Sequence, residues 1–353
     1  MKIVKVNLKN FMLFNSLDLS FSPNINIISG ENSTGKTAIL KVLYSTTKSL
    51  HELQKGKSEV TKDKYEQVLV SKLNGVFKPS DDSIGRLVGR QQGSNRTDVE
   101  IVFDNNKTVG FGFGNRQTKH LELNVVNELI SADFSPVFIP PKEIISSTGN
   151  FTSLYDDYHI GFDETYYDLA KLLLKPLKKG PNTRQQNIVL ESFDTIMNGN
   201  VVQKDNKFYL KVKGYGEFEM GLVSEGYRKL STMTYLILSG SLDKNAMLFW
   251  DEPESNMNPK MIKHMVEALV ELSKMGVQIF IATHSYFVQQ CFNLIASYPK
   301  ANKNKIDIKF ISFYRKSETN ELVAETAKTV NDLQNNSIME EFDGIYNREQ
   351  ELI

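Results

Sequence analysis

Four short stretches of the chain end in residues that handle phosphate, metal or water. The first is Gly30, Glu31, Asn32, Ser33, Thr34, Gly35, Lys36, Thr37. It satisfies the pattern of a glycine, four residues, then Gly-Lys-Ser/Thr. Backbone N–H groups of such a loop, and of the helix it opens, point at an anion. The candidate phosphate contacts run from Gly30 through Thr37 to Ala38. Lys36 would reach the terminal phosphate oxygens, and the Thr37 hydroxyl would take a magnesium ion. The second stretch is AMLFWDEPE, 246–254, in which an apolar run ends in Asp251 and Glu252. Unpaired charge at the end of a buried strand is expensive, and a divalent cation supplies a reason for it. Asp251 is expected to hold Mg²⁺ through water, and Glu252 to position or deprotonate the attacking water.

The third stretch is VQIFIATHS, 277–285, with His284 just past the strand's end. That end faces the crevice where open α/β sheets bind ligands, so His284 is expected to reach the terminal phosphate. An isolated histidine there would be an ordinary loop residue. The fourth is Ser224-Glu225-Gly226, ahead of the helix-patterned YRKLSTMTYLIL. A helix N-terminus with a hydroxyl binds anions; Ser224 is also a good plain N-cap. Glu225 would repel a phosphate, so it must turn aside or meet a cation, with Arg228 and Lys229 nearest in sequence.

These groups need a scaffold, and the local patterns supply one. NINIIS, 24–29, reads as a buried strand, and TAILKVLYSTTKSL, 37–50, as a helix with Ile39, Val42, Leu43 and Leu50 near one face. Strand, glycine loop and helix therefore come in the order the loop requires. MKIVKVNLKNF alternates and reads as a strand rather than a signal peptide. Alternation in TDVEIVF and KTVGFGF, within 84–125, predicts antiparallel strands. Residues 151–200 are helix-like but broken at Pro176 and Pro181, which excludes a long coiled coil. After ESNMNP, 254–259, Pro259 opens an amphipathic helix with Ile262, Met265, Val266, Leu269 and Leu272 on one face. The stretch beyond His284 reads as a helix, the strands KIDIKFISFY and ELVAETA, and an acidic helix-prone tail.

Composition excludes several classes. Lys+Arg and Asp+Glu number 42 each, so global charge implies no nucleic-acid partner. Two local basic clusters, Arg86, Arg90, Arg96 and Lys171, Lys175, Lys178, Lys179, Arg184, could grip a nucleic-acid backbone or be solvated surface. The single cysteine, Cys291, suits a reducing cytosol, and the expected location is cytoplasmic. No apolar run approaches the roughly 18–20 residues of a membrane span. His51 and His264 lie on helix-like stretches, and His120 and His159 lack ligand-like neighbours, so no metal–histidine site is readable.

GENSTGKT, VSEGYRKLS, MLFWDEPESNMNP and IFIATHS, in that order, resemble the ABC-type ATPase heads. Within them the opening VNLKNFMLFNSLDLSFSPNINIISGENSTGKT and FIPPKE, 138–143, are similar to the RecF/SMC/OLD-like branch, often labelled AAA ATP-binding proteins. The resemblance covers residues 1–45 and 135–290. It implies ATP and Mg²⁺ as cofactors and a dimer in which Ser224 and Gly226 close over the partner subunit's phosphate. Glu225 stands where a glycine is more familiar, as in stand-alone ATPases of the OLD-like branch. Asn256 would lie near the partner, or serve a polar capping turn. The expected fold is α/β, an ABC-ATPase-like P-loop core with an antiparallel β lobe and a helical signature subdomain. A single domain 1–353 is expected, divided at 1–145, 146–222 and 223–353. No acidic triad of a TOPRIM nuclease is readable after His284. The implied role is an ATPase for a separate effector, nuclease or toxin, in bacterial antiphage defence; the alternative is a RecF-like clamp on DNA. A transporter subunit is disfavoured, because the signature departs from LSGGQ and no clear glutamine loop precedes it.

Overall fold

The computed structural model describes residues 1–55, 61–90, 92–126, 134–158, 160–302 and 305–353. His159 lies outside them. The chain forms two compact units, Met1–Phe134 with Phe280–Ile353, and Ser135–Ile279.

In the first unit, β1 (Ile3–Phe11) pairs antiparallel with β2 (Phe14–Ser20), and β3 (Ile25–Gly30) follows. All six residues of β3 are buried, which is why it reads as an unbroken apolar run. The helix α1 (Lys36–Lys55) starts one residue earlier and runs five residues longer than its apolar pattern alone indicates. Ile39, Val42 and Leu43 are fully buried and Leu50 nearly so. Helix α2 (Lys62–Phe77) is capped by Thr61, whose side chain accepts from the Lys64 N–H, and packs on α1. The predicted antiparallel strands are β4 (Arg96–Phe103), β5 (Thr108–Gly114) and β6 (Glu122–Val126). With β1 and β2 they make one sheet in the order β2-β1-β4-β5-β6.

The C-terminal part returns to this unit. Strand β12 (Gln278–Ala282) lies beside β3, and β13 (Ile308–Arg315) runs parallel to β3 on its other side. Strand β14 (Leu322–Ala327) pairs antiparallel with β13. Helices α8 (Tyr286–Ser297) and α9 (Ser337–Leu352) are the helical segments expected after His284.

In the second unit, β7 (Ser135–Ile139) and β11 (Ala246–Asp251) are parallel neighbours. Between them come α3 (Thr148–Tyr158), α4 (Glu164–Leu173), α5 (Arg184–Met197) and α6 (Glu225–Leu238). Helix α7 (Pro259–Lys274) has proline in its first turn and buries Ile262, Met265, Val266, Leu269 and Leu272. One element departs from expectation. The segment 146–222 is not wholly helical but carries a three-stranded antiparallel sheet, β8 (Gly199–Lys204), β9 (Lys207–Val212) and β10 (Gly216–Glu219). Its first hairpin turns at Asp205 and Asn206, with φ of 48° and 60°. Two left-handed central residues are what a two-residue hairpin loop requires, and Asp and Asn tolerate them. Alternation in VVQK and KFYL is too short to outweigh the helices before it.

Candidate nucleotide site

The glycine loop belongs to the first unit. Gly30 has φ of 141°, and a Cβ there would collide with the Phe313 carbonyl oxygen of β13. Gly35 has φ of 85°, and a Cβ would meet the Phe14 ring at 2.5 Å. Both positions therefore demand glycine on two counts, conformation and space. The Phe14 ring, at the start of β2, thus walls the turn. Ser33 is also left-handed, at φ 60°, and Thr34 closes the turn by donating to the Glu31 carbonyl at 2.7 Å. Glu31, Asn32, Ser33 and Thr37 are exposed, whereas Lys36 is 6% exposed. The Lys36 ammonium donates to the carbonyls of Gly30 (2.8 Å) and Glu31 (2.6 Å), which curls the cation back over the loop. Ala38 is buried, and the Ile39 N–H bonds the Gly35 carbonyl, so α1 starts directly out of the loop.

His284 is brought to the same end of the sheet. The Thr283 N–H donates to the Ile28 carbonyl at 2.9 Å, two residues before Gly30. Ser285 then caps α8 by accepting from the Val288 N–H. His284 is half-buried between these two anchors.

The carboxylates belong to the second unit. Asp251 ends β11 at 3% exposure. Glu252 follows with φ of 47°, a left-handed conformation for a residue with a long side chain. Such a conformation costs on the order of 1–3 kcal/mol and persists where its surroundings over-determine it. Here they do. The Glu252 carbonyl accepts from the Ser255 N–H (3.2 Å), the Ser255 hydroxyl (3.0 Å) and the Lys229 ammonium (3.2 Å). Tyr166 stands in the same acidic field. Burial pushes its phenol up to about 12, against a backbone hydrogen bond at Lys142, with Asp163, Asp251 and Glu252 adding to the rise.

Ser224 occupies the N-cap position of α6, but its side chain makes no capping hydrogen bond and is exposed. The Ser224 hydroxyl is therefore not spent on the helix's own first-turn N–H groups. Gly226 is buried, and a Cβ there would press on Met261 at 3.0 Å. Glu225 turns aside as expected, but its hydrogen-bond partner is Asn256 (2.9 Å), not Arg228 or Lys229. Those two are committed elsewhere. Arg228 pairs with Glu143 at 2.5 Å, and Lys229 donates into the turn after Glu252. Asn256, at φ 59°, so joins the loop before α7 to the start of α6 within one chain. Glu143 and Lys229 carry no motif signal of their own; FIPPKE pointed to the segment of the first, and the second was read only as a cation near Glu225 in sequence.

The basic clusters are differently placed. Arg86 is bonded to Asp81 (2.6 Å), and Arg96 to Asp98 (3.0 Å) and Glu122 (2.8 Å), which neutralises most of the first cluster. In the second, Lys171 lies over the Tyr167 ring and Lys178 donates to Gln186. His120 sits by Glu66 and His264 by Glu267, and His51 is half-buried near the Phe134 ring. Among the described residues no helix is long and apolar enough to cross a membrane, and no group of three or more His, Cys, Asp or Glu could hold a metal.

The loop of the first unit fits a phosphate: two glycine-only positions clear it, a buried lysine supplies charge, and Thr37 is an exposed residue with a hydroxyl. In the second unit, taken by itself, Asp251 is a buried carboxylate of the hard-oxygen type that magnesium takes. A family model described as "AAA domain, putative AbiEii toxin, Type IV TA system" matches residues 25–288. The DNA replication and repair protein RecF of Clostridium botulinum (strain Eklund 17B / Type B) is 23% identical over 145 residues, 41% of this chain and 34% of that protein. RecF of Halalkalibacterium halodurans is 46% identical over 44 residues, 12% of each chain. The matched region thus spans about a third of the first of these relatives and less of the second. An SMC head bound to the C-winged helix domain of ScpA superposes with a TM-score of 0.55 at 15% identity, covering 93% of this chain and 98% of that one. The Pyrococcus furiosus Smc head with an extended coiled coil gives 0.50 at 12%, covering 98% and 99%. The fold is that of the ABC-type ATPase heads, mixed α/β with antiparallel and parallel sheets.

Proposed function

We propose, for a chain that belongs to this AAA-domain family, an ATPase that closes with a second copy of itself around ATP and serves a separate effector, a nuclease or toxin, in bacterial antiphage defence. One observation carries the ATPase reading. A loop whose two glycines admit no side chain leads straight into a helix, and a strand ends in a buried aspartate followed by a strained glutamate. A left-handed glutamate at the end of a buried strand, with three donors on its carbonyl, suits a side chain that must be aimed. Bound nucleotide would supply the phosphoanhydride, and Mg²⁺ would neutralise its charge. In this reading Gly30 to Ala38 would hold phosphate with Lys36 neutralising it, and Thr37 and Asp251 are the residues that would serve the metal. Glu252 would accept the water's proton, and His284 would donate to the terminal phosphate.

Self-association is supported by the exposed Ser224, whose side chain makes no capping bond and which stands at the helix start where a second copy's phosphate would dock. The effector reading is supported by the family's toxin–antitoxin description. A RecF-like clamp on DNA remains the second reading, favoured by the RecF matches, although the pairing of Arg86 and Arg96 with carboxylates weakens its first basic cluster. The functional unit is the whole chain, 1–353, acting as one ATPase domain.

Two variants test the ATPase reading. Lys36→Ala should lose ATP binding in isothermal titration, because the phosphate loses its charge partner. Glu252→Gln should bind Mg²⁺–ATP like wild type, lose turnover by about 10²–10⁴-fold, and associate more strongly with nucleotide bound. Unchanged ATP affinity in the first, or wild-type turnover in the second, overturns the assignment.

A further inference from the structure

At 2% exposure, Lys229 is the most deeply buried lysine among the described residues. It lies on α6, five positions after Ser224. A lysine that deep is ordinarily matched to a carboxylate. This one is not hydrogen-bonded to one. Its ammonium donates to the Ser255 hydroxyl (2.5 Å), the Ser255 carbonyl (2.9 Å) and the Glu252 carbonyl (3.2 Å), with the Pro253 carbonyl at 3.5 Å. An ammonium has three protons, and all its acceptors belong to the turn Glu252–Ser255. Burial lowers its proton affinity, and the surrounding charges of Glu225, Glu254, Glu252 and Glu143 oppose that fall.

The arrangement has a mechanical consequence. Glu252 leaves the strand in a left-handed conformation, so its backbone decides where its carboxylate points. The cation on α6, the Ser255 N–H and the Ser255 hydroxyl all donate to the Glu252 carbonyl, which fixes that backbone. The start of α6 is also bonded through Glu225 to Asn256, just beyond that turn, and Gly226 packs against Met261 of α7. The helix that presents Ser224 and the turn that aims Glu252 are therefore joined directly by Lys229. An apolar side chain would fill the Lys229 volume with less desolvation, so packing alone does not account for a cation here.

We infer that Lys229 is a positioning residue for hydrolysis: it holds the Glu252 turn in its catalytic aim and ties that aim to the helix carrying Ser224. The inference rests on the reading of Glu252 as the base. It acts through Glu252 and touches no reacting atom.

The test uses the full chain. Lys229→Met keeps the side-chain length without donors. It should bind Mg²⁺–ATP within about twofold of wild type and lose kcat by about 10–100-fold, short of the ceiling set by a whole general base. In a Glu252→Gln background, adding Lys229→Met should leave the residual turnover unchanged, because the group it positions is already gone. Ser255→Ala, which removes one acceptor and spares the lysine, should lose kcat in the same direction but less. It carries the test should Lys229→Met fold poorly. A merely structural lysine would lower Tm in both backgrounds and leave kcat per folded molecule untouched; that result, or an equal loss with and without Glu252, overturns the inference. If Glu252→Gln itself turns over like wild type, the base assignment falls and this inference with it. If Glu252→Gln is dead and Lys229→Met is fully active, only the inference falls.

Discussion

Removing Glu143 should weaken the second unit and loosen the turn that carries Ser224. The Glu143 carboxylate is 8% exposed and its Arg228 partner 24%, with 2.5 Å between them. Glu143 also accepts from the Ser146 N–H (3.2 Å) and hydroxyl (2.7 Å). Arg228 in turn donates from Nε to the Val223 carbonyl, one residue before Ser224, at 2.7 Å. Glu143→Ala leaves a guanidinium largely out of water with a carbonyl in place of its counter-ion. Breaking a buried pair from one side costs about 3–5 kcal/mol. Arg228 keeps some access to water, so about 3 kcal/mol is the better figure. At about 2–4 °C per kcal/mol for a unit of this size, Tm should fall by about 6–12 °C. Arg228→Ala alone should cost less, since Glu143 retains the two Ser146 donors. The double variant should be little worse than Glu143→Ala, because the orphaned charge is then gone. Urea unfolding of the four proteins, followed by circular dichroism, gives the coupling directly. A coupling under about 0.5 kcal/mol would mean that the two residues act independently and that the pair does not hold the turn.

Two further outcomes follow from the site. Ser224→Arg and Lys36→Ala should each be inactive alone, and mixed dimers verified by mass should regain ATPase activity, since one composite site then pairs an intact Lys36 with an intact Ser224; strong activity of Ser224→Arg by itself would reduce Ser224 to the start of a helix. The Tyr166 phenol, raised from 10.0 to about 12, keeps its proton in the folded chain over a window in which the unfolded chain loses it. Its contribution to stability is therefore complete below pH 10 and is lost as pH rises through about 12. Tm measured across that window should decline less steeply in Tyr166→Phe than in wild type, and equal slopes would remove Tyr166 from the account.

The chemistry-bearing stretches were legible because each is local. A glycine loop, an apolar run ending in acids and a serine before an amphipathic pattern all declare themselves within about ten residues, the range over which turn geometry and periodicity act. The same holds for β3 and β11, which are unbroken buried runs, for β1, which alternates, and for α1 and α7, whose apolar residues recur at helical spacing. The β8–β10 sheet was missed because its strands are short and one of them, β10, is wholly exposed. Its one strong signal is the Asp205-Asn206 turn.

What the sequence determined by itself is the set of candidate groups and the elements that end in them: Lys36 and Thr37 at the opening of a helix, Asp251 and Glu252 at the end of a buried strand, Ser224 at a helix start. What only the tertiary structure decided is which charges meet. Arg228 and Lys229 were the cations nearest Glu225 in sequence, yet Glu225 is bound by Asn256, Arg228 by Glu143, and Lys229 by the backbone of the turn after Glu252. Successive residues on a helix point about 100° apart, so neighbours in sequence face different neighbours in space. Partner choice over separations of 31, 85 and 23 residues depends on how the helix packs, which no local pattern records.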